Sequence, residues 1–104
     1  MKYRRLPHTG QEISIIGLGG SALGSAGEKE IISTLETAFE AGVNYFDMAA
    51  GDQRLFAPYG KVLSSCRQKA FLQVHFGAVY DQNGKYGWTL DLEKIKKETV
   101  SSFV

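Results

Sequence analysis

The order of apolar and polar positions predicts an N-terminal hairpin followed by a buried strand. Residues 2–6 form a short strand that enters a Pro-His-Thr-Gly turn, and residues 12–14 can pair back onto it. The apolar run 13–18 stops at Gly19 and Gly20, as is typical of a buried strand with a glycine-rich exit.

A helix and a second strand follow. Glu28 and Glu30 would occupy the first turn, where carboxylates favour the positive end of the helix dipole. Gly42 is placed to cap the other end. The apolar face of this helix is spaced at helical intervals and comprises Ile31, Leu35, Ala38 and Phe39. Residues 43–47 then predict a strand that ends on a carboxylate.

The middle of the chain predicts a second helix and a third strand. Pro58 is suited to open a short helix that runs to about residue 67. Its less polar side would carry Val62, Leu63 and Cys66. Residues 70–76 predict a strand on which Gln73 and His75 share a face, because side chains alternate along a strand.

The last third predicts a loop and a final helix. Residues 77–88 are rich in Gly and Tyr and predict a long loop. Residues 91–104 predict a helix with Asp91 as its N-cap. Its less polar stripe would carry Leu92, Ile95 and Thr99.

Strands that alternate with helices indicate an α/β fold with a parallel sheet and right-handed crossovers. In such sheets the chemistry lies at the carboxyl ends of the strands. Three places on this chain meet that condition: the Gly-Gly-Ser segment 19–21, the acidic segment 47–52, and His75.

Composition excludes several classes of protein. A net charge of +1 argues against binding to nucleic acid or to an anionic membrane. No apolar run is long enough for a transmembrane helix, and the basic start is not followed by the apolar stretch of a signal peptide. The single cysteine, Cys66, forms no internal disulfide or cysteine-rich metal site, so we expect no metal and a cytoplasmic location.

The glycines after the first buried strand allow two interpretations. Residues 17–22 fit the G-x-G-x-x-G/A pattern of a dinucleotide-binding turn, with Asp47 as the ribose ligand. Against this, the helical pattern starts only near Glu28, whereas the dinucleotide fold opens its helix within the motif. The alternative is that the glycines end a strand where a loop crosses the mouth of a barrel.

Several segments, taken in order, resemble the N-terminal third of the aldo-keto reductases. The most specific is Ala-Gly-Val-Asn-Tyr-Phe-Asp at residues 41–47, which follows a helix of the right length. The other matching segments are residues 2–6, 9–10, 13–20, 60–63 and 74–77. The resemblance implies a (β/α)8 TIM barrel with a hairpin across its bottom, of which residues 1–104 would form a single N-terminal fragment with about three βα units.

The resemblance also implies NADPH-dependent reduction of aldehydes and ketones, with a tyrosine as proton donor assisted by Lys, Asp and His. It assigns Gly20, Ser21 and Asp47 to cofactor binding and Asp47 to the catalytic set. The catalytic tyrosine position holds Asp52, and the lysine position holds His75. Because a histidine titrates near neutrality, an Asp52–His75 proton relay is one hypothesis. The alternative is that both residues are solvated or hydrogen-bonded at a barrel rim.

The remaining candidates have simpler interpretations. Tyr59 precedes a Gly-Lys-x-Leu segment, which favours packing in the core or at the rim, and His8 should face solvent. Cys66 is more often a small core side chain than a nucleophile. Tyr86 and Trp88 can form an aromatic rim over a ligand or bury the loop that follows the third strand.

Length limits the function. A (β/α)8 barrel takes roughly 250 residues, and three parallel strands alone leave open edges that favour pairing with other chains. We therefore expect either a truncated oxidoreductase-like chain, inactive alone, whose full-length relative reduces a small carbonyl substrate, or a non-catalytic binding module that forms homo-oligomers.

Overall fold

A computed structural model describes residues 1–48 and 53–103. Seven strands and three α-helices follow one another in this part of the chain: β1 (Tyr3–Arg5), β2 (Glu12–Ser14), β3 (Leu18–Gly19), α1 (Glu28–Glu40), β4 (Tyr45–Asp47), α2 (Phe56–Leu63), β5 (Phe71–Gln73), β6 (Ala78–Tyr80), β7 (Tyr86–Trp88) and α3 (Leu92–Phe103). Short 3₁₀ segments occupy Ser21–Ser25, Gln53–Leu55 and Ser64–Lys69.

A three-stranded parallel sheet, in the order β3–β4–β5, organises the molecule. Its central strand pairs Phe46 with Leu18 on one side and with Leu72 on the other. Helix α1 connects β3 to β4, and α2 connects β4 to β5. The predicted α/β architecture with parallel strands is therefore confirmed.

The β1–β2 hairpin is attached to the amino end of β4. Asn44, which precedes β4, accepts a hydrogen bond from the Ser14 amide at 2.8 Å and donates one from its side chain to the Glu12 carbonyl oxygen at 3.0 Å. The Tyr3 hydroxyl donates to the Gly42 carbonyl oxygen at 2.8 Å. These bonds hold the hairpin against the end of the sheet opposite the carboxyl ends of the strands.

The core lies between the sheet and helices α1 and α2. Leu35 of α1 and Phe46 of β4 are fully buried, and Leu55 and Tyr59 are nearly so. The other buried apolar members of this cluster are Ile31, Val43, Met48, Leu63 and Ala70. The predicted apolar face of α1 is confirmed by the burial of Ile31 and Leu35.

The apolar run 13–18 does not form one buried strand, so that prediction is wrong. Its first two residues belong to the hairpin, and only Leu18 and Gly19 enter the parallel sheet. Between them Ile15 and Ile16 are 51% and 59% exposed. The Ser14 hydroxyl donates to the Ile16 carbonyl oxygen at 2.7 Å. This local bond accompanies the bend that separates the two strands.

The predicted loop 77–88 is also wrong, because it forms an antiparallel hairpin in which β6 pairs with β7. The Asp81 carboxylate accepts hydrogen bonds from the amides of Asn83 at 2.8 Å and Lys85 at 2.9 Å. Gly84 takes a φ of +78° in the same turn. An aspartate that bonds to the backbone two residues on is a recurrent way to close a turn.

Helix boundaries differ from the predictions by small amounts. Helix α2 begins at Phe56, before Pro58, which is tolerated because a proline in the first turn breaks no intrahelical hydrogen bond. It ends at Leu63, and a 3₁₀ segment continues to Lys69. Asp91 caps α3 as predicted, since its carboxylate accepts a hydrogen bond from the Glu93 amide at 3.0 Å.

Candidate functional site

The carboxyl ends of the three parallel strands lie side by side. Gly19 and Gln73 are the register partners of Asp47 on β3 and β5. The backbone continues this pairing past the strands, because the Gly20 amide donates to the Asp47 carbonyl oxygen at 2.9 Å. Residues 19–21, 47 and 73–75, which are far apart in sequence, are therefore brought to one edge.

Asp47 and His75 form a close pair at this edge. The Nε2 atom of His75 lies 2.8 Å from an Asp47 carboxylate oxygen. The same nitrogen is 3.3 Å from Nε2, the side-chain amide nitrogen, of Gln73. The imidazole side chain is 41% exposed and the carboxylate side chain 31%. The pair is thus held by a charge-assisted contact and still open to solvent, from which it can exchange protons.

The strand ends before His75, although the sequence predicted it to reach residue 76. Strand β5 covers only Phe71–Gln73. Two further residues carry the chain past the sheet, so His75 turns back toward Asp47. The histidine position is therefore set by the short segment after the strand and not by the strand itself.

The other predicted site residues fare differently. Gly20 joins the edge through its backbone, and Ser21 begins the 3₁₀ segment directly after it. Asp52 lies outside the described residues, so the Asp52–His75 relay stays a prediction. The described partner of His75 is Asp47, a pair that the sequence hypothesis did not anticipate although both residues were candidates.

Tyr59 of α2 lies behind this edge. Its side chain is only 2% exposed, as the predicted core packing requires. The ring packs edge-to-face on Phe46 with centroids 6.4 Å apart. Burial, together with the nearby negative charge of Asp47, raises the pKa of the Tyr59 hydroxyl from 10.0 to about 12. This hydroxyl therefore stays protonated at any ordinary working pH.

An aromatic group connects the β6–β7 hairpin to the start of α2. Tyr80 packs edge-to-face on Phe56 at 5.8 Å and on Tyr86 at 6.2 Å between ring centroids. Trp88 is 70% exposed. Of the two aromatic residues proposed from the sequence as a rim, Tyr86 joins this group and Trp88 projects into solvent.

A groove of about 420 Å³ runs between the segment after β3 and the segment after β4. Its lining includes Gly24 and Gly27 on one side and Arg54 and Pro58 on the other. The Arg54 guanidinium contacts the Gly24 carbonyl oxygen at 3.5 Å. The sequence offered no signal for this groove, because its two walls come from different strand–helix units.

The remaining features considered from the sequence are metal ligands, membrane-spanning helices, Cys66 and His8. Within residues 1–48 and 53–103, no three His, Cys, Asp or Glu side chains are grouped as metal ligands. No helix in the same ranges is long and apolar enough to cross a membrane. The Cys66 thiol is half-buried and contacts the Val62 carbonyl oxygen at 3.6 Å, and His8 lies exposed in the first hairpin turn.

Comparison with known proteins identifies a solved structure with a similar fold. No sequence-family model and no curated protein matches the chain. The solved structure described as "Putative aldo-keto reductase from Pseudomona aeruginosa" matches with a TM-score of 0.74 and 21% sequence identity. The match covers 96% of this chain and 40% of that protein. The resemblance is thereby confirmed at the level of the fold: almost the whole of this chain folds like a part of that protein.

Proposed function

We propose that the chain is one N-terminal fragment, residues 1–104, of a (β/α)8 barrel whose complete form reduces small carbonyl compounds with NADPH. The observation that carries the proposal is the Asp47–His75 contact of 2.8 Å at the carboxyl ends of neighbouring parallel strands. The matched fold supports it, since the chain spans 40% of that protein and barrel enzymes place their chemistry at this end.

The pair suits a proton donor. Reduction of a carbonyl adds a hydride to the carbon and a proton to the oxygen, so a general acid must stand beside that oxygen. Protonated His75 can give this proton from Nδ1, because Nε2 is the ring nitrogen held by Asp47. Asp47 stabilises the imidazolium and holds the ring in place, since a carboxylate accepts the N–H in a charge-assisted hydrogen bond. The imidazole then recovers its proton from solvent.

The edge also fits one end of a nicotinamide nucleotide. Among the described residues, no atom lies within 4 Å of a Cβ built on Gly19, so this part of the backbone leaves room for a flat ring. Ser21 and Asp47 would supply polar side chains beside this space. Gly20 would supply polar groups of its backbone. When bound, the cofactor would supply the hydride. In the matched fold the rest of the barrel would hold its phosphates, so this chain alone should bind NADPH weakly.

The first test compares the intact mass of the purified protein with the length of its encoding reading frame, to establish whether a longer barrel exists. In the longer protein, His75→Ala should lower kcat for NADPH-dependent carbonyl reduction by roughly 10²–10⁴, the range for loss of a general acid. His8→Ala is the matched control, because His8 is the other histidine and lies exposed in the hairpin turn. Equal activity of the two variants would reject the proposed role of His75.

A second candidate function is a self-associating module without catalysis. The apolar side chains of Ile15, Ile16 and Phe76 are mostly exposed. In the described part of the chain, β3 and β5 are edge strands of the sheet, and open edges favour pairing with another chain. Light scattering should then detect oligomers. A folded monomer at the highest soluble concentration would exclude this candidate.

A further inference from the structure

One face of the β6–β7 hairpin carries large apolar side chains. Tyr80 pairs with Tyr86 and Ala78 pairs with Trp88, and residues opposite each other in an antiparallel ladder project from the same face. Leu90 follows Trp88 by two residues and so continues the alternation. We call Tyr86, Trp88 and Leu90 the hairpin stripe. These three side chains are between 46% and 81% exposed.

The residues that alternate with the hairpin stripe are better covered. Val79, Gly87 and Thr89 are half-buried, and α3 packs against β6. At the base of the hairpin, a Cβ built on Gly77 would lie 3.9 Å from the side chain of Ile95 in α3. The hairpin is therefore covered on its side of small residues and open to solvent along the stripe.

The hairpin stripe is large for a surface that stays in water. Phe76, which is 76% exposed, lies in the turn directly before β6 and adds to it. An aromatic side chain offers about 150–250 Å², so these four side chains together present roughly 500–600 Å². An apolar patch of this size is among the largest on ordinary monomers. Two such patches face to face would bury roughly 1,000–1,200 Å², which is enough for a weak, specific dimer.

The charges at the two ends of the hairpin stripe have opposite signs. Lys85 directly precedes Tyr86, Asp91 directly follows Leu90, and both charged side chains are exposed. Trp88 lies midway between them. In a twofold interface residue i contacts residue j and j contacts i. With antiparallel strands centred on Trp88, each Lys85 would therefore meet Asp91 of the second copy, and each Tyr86 would meet Leu90 of the second copy.

We propose that two copies of this chain pack face to face through the hairpin stripe, with their β7 strands antiparallel and Trp88 at the centre. The arrangement buries apolar surface and places opposite charges together at both ends. It rests on the proposed self-association and names the surface that mediates it. It differs from strand addition at the open edges of β3 and β5, which would leave the stripe in water.

The test uses the fluorescence of Trp88, which is the single tryptophan of the chain. The 104-residue chain is measured over a dilution series, with its mass followed by light scattering in the same samples. As the mass doubles with rising concentration, Trp88 emission should shift to shorter wavelength and its quenching by acrylamide should fall, because the indole leaves water.

The possible results separate the hairpin stripe from self-association in general. A doubled mass with unchanged Trp88 emission and quenching would overturn the stripe interface and leave self-association standing. A monomer at the highest soluble concentration would reject both. Trp88 that is already shielded from acrylamide at the lowest concentration would show that another part of the chain covers the stripe, and would also overturn the proposal.

Substitutions test the arrangement of the two copies. Lys85→Glu should weaken the dimer by roughly 2–10-fold, because two like-charge pairs replace two exposed opposite-charge pairs. Lys94→Glu makes the same change of charge at an exposed position of α3 outside the stripe and should leave the dimer unchanged. Trp88→Ala should weaken it by at least roughly 30-fold, as is typical of a central tryptophan. Equal dimer affinity of folded Lys85→Glu and Lys94→Glu would overturn the antiparallel arrangement.

Discussion

At the scale of single residues, the chain concentrates its unusual chemistry within a short stretch of β4 and its neighbours. Asp47 contacts His75, and Tyr59 is buried behind them without a hydrogen-bond partner in the described part of the chain. The sequence identified all three residues as candidates, but it paired His75 with Asp52 and gave Tyr59 a packing role only. The Asp47–His75 contact depends on the register between β4 and β5 and on the path of the chain after β5. Neither can be derived from the local sequence pattern.

The Tyr59 hydroxyl predicts the response of stability to alkaline pH. Its pKa is about 12 in the folded protein and near 10.0 when exposed by unfolding. The folded state therefore holds this proton more tightly, so its contribution to stability is complete below pH 10 and is lost as the pH rises toward 12. Urea unfolding measured across this range should show a falling free energy of unfolding in the wild-type chain.

Tyr59→Phe should remove that part of the alkaline slope. At neutral pH it should leave stability unchanged or raise it by up to about 1–3 kcal/mol, because it deletes an unpaired buried hydroxyl. Tyr3→Phe is the contrasting variant, since the Tyr3 hydroxyl is exposed and hydrogen-bonded. A clear loss of stability at neutral pH in Tyr59→Phe would show that the hydroxyl has a partner after all.

At the scale of elements, a polar residue outside the strands supports each hairpin. Asn44 ties the β1–β2 hairpin to β4, and Asp81 closes the turn of the β6–β7 hairpin. The sequence predicted the first hairpin because Pro-His-Thr-Gly is a clear turn signal. It missed the second because the aromatic and glycine residues of 77–88 lack a regular alternation, and the pairing depends on Gly77 at its base.

Asn44→Ala should loosen the N-terminal hairpin. The change removes two side-chain hydrogen bonds to the hairpin backbone, one of them to the partly buried Ser14 amide. We expect a loss of about 1–3 kcal/mol in urea unfolding, with early amide exchange in β1 and β2. Asn83→Ala is the control, because within the described part of the chain Asn83 is bonded in its turn through its backbone amide and not through its side chain. Equal losses in both variants would contradict the role assigned to Asn44.

Gly77→Ala should disrupt the junction between β5 and the second hairpin. Gly77 has a φ of +86°, and an added Cβ would lie 2.8 Å from the Thr89 carbonyl oxygen. The left-handed conformation alone costs an alanine about 1–2 kcal/mol. Amide exchange in β6 and β7 should accelerate. Gly27→Ala, where an added Cβ meets no atom within 4 Å, should change exchange little; unaffected strands in Gly77→Ala would refute this assignment.

At the scale of the whole molecule, a compact core coexists with exposed apolar side chains. Leu35 and Phe46 are completely buried between helices and sheet. Ile16, Phe76 and Trp88 lie exposed around it. The matched protein is longer, and this chain spans 40% of it. The chain thus folds like a part of the longer matched protein. Both proposed functions start from this likeness.

The two groups of apolar residues should respond differently to substitution. Leu35→Ala should cost about 2–5 kcal/mol, as is usual for a fully buried leucine. Ile16→Lys should change stability by less than about 0.5 kcal/mol, since a surface substitution loses little packing. If the exposed side chains mediate self-association, Ile16→Lys should also shift the mass from light scattering toward the monomer. Strong unfolding by Ile16→Lys would show that this residue is covered.

The sequence by itself determined the N-terminal hairpin, the alternation of parallel strands with helices, the parallel α/β class, the apolar face of α1 and the Asp91 cap. These features follow from short-range spacing, capping and turn chemistry, which operate over a few residues. Only the tertiary structure decided that Asp47 contacts His75, that the Tyr59 hydroxyl is buried without a described partner, and that Ile15 and Ile16 are exposed. Those outcomes depend on strand register and on the packing of residues that are distant along the chain.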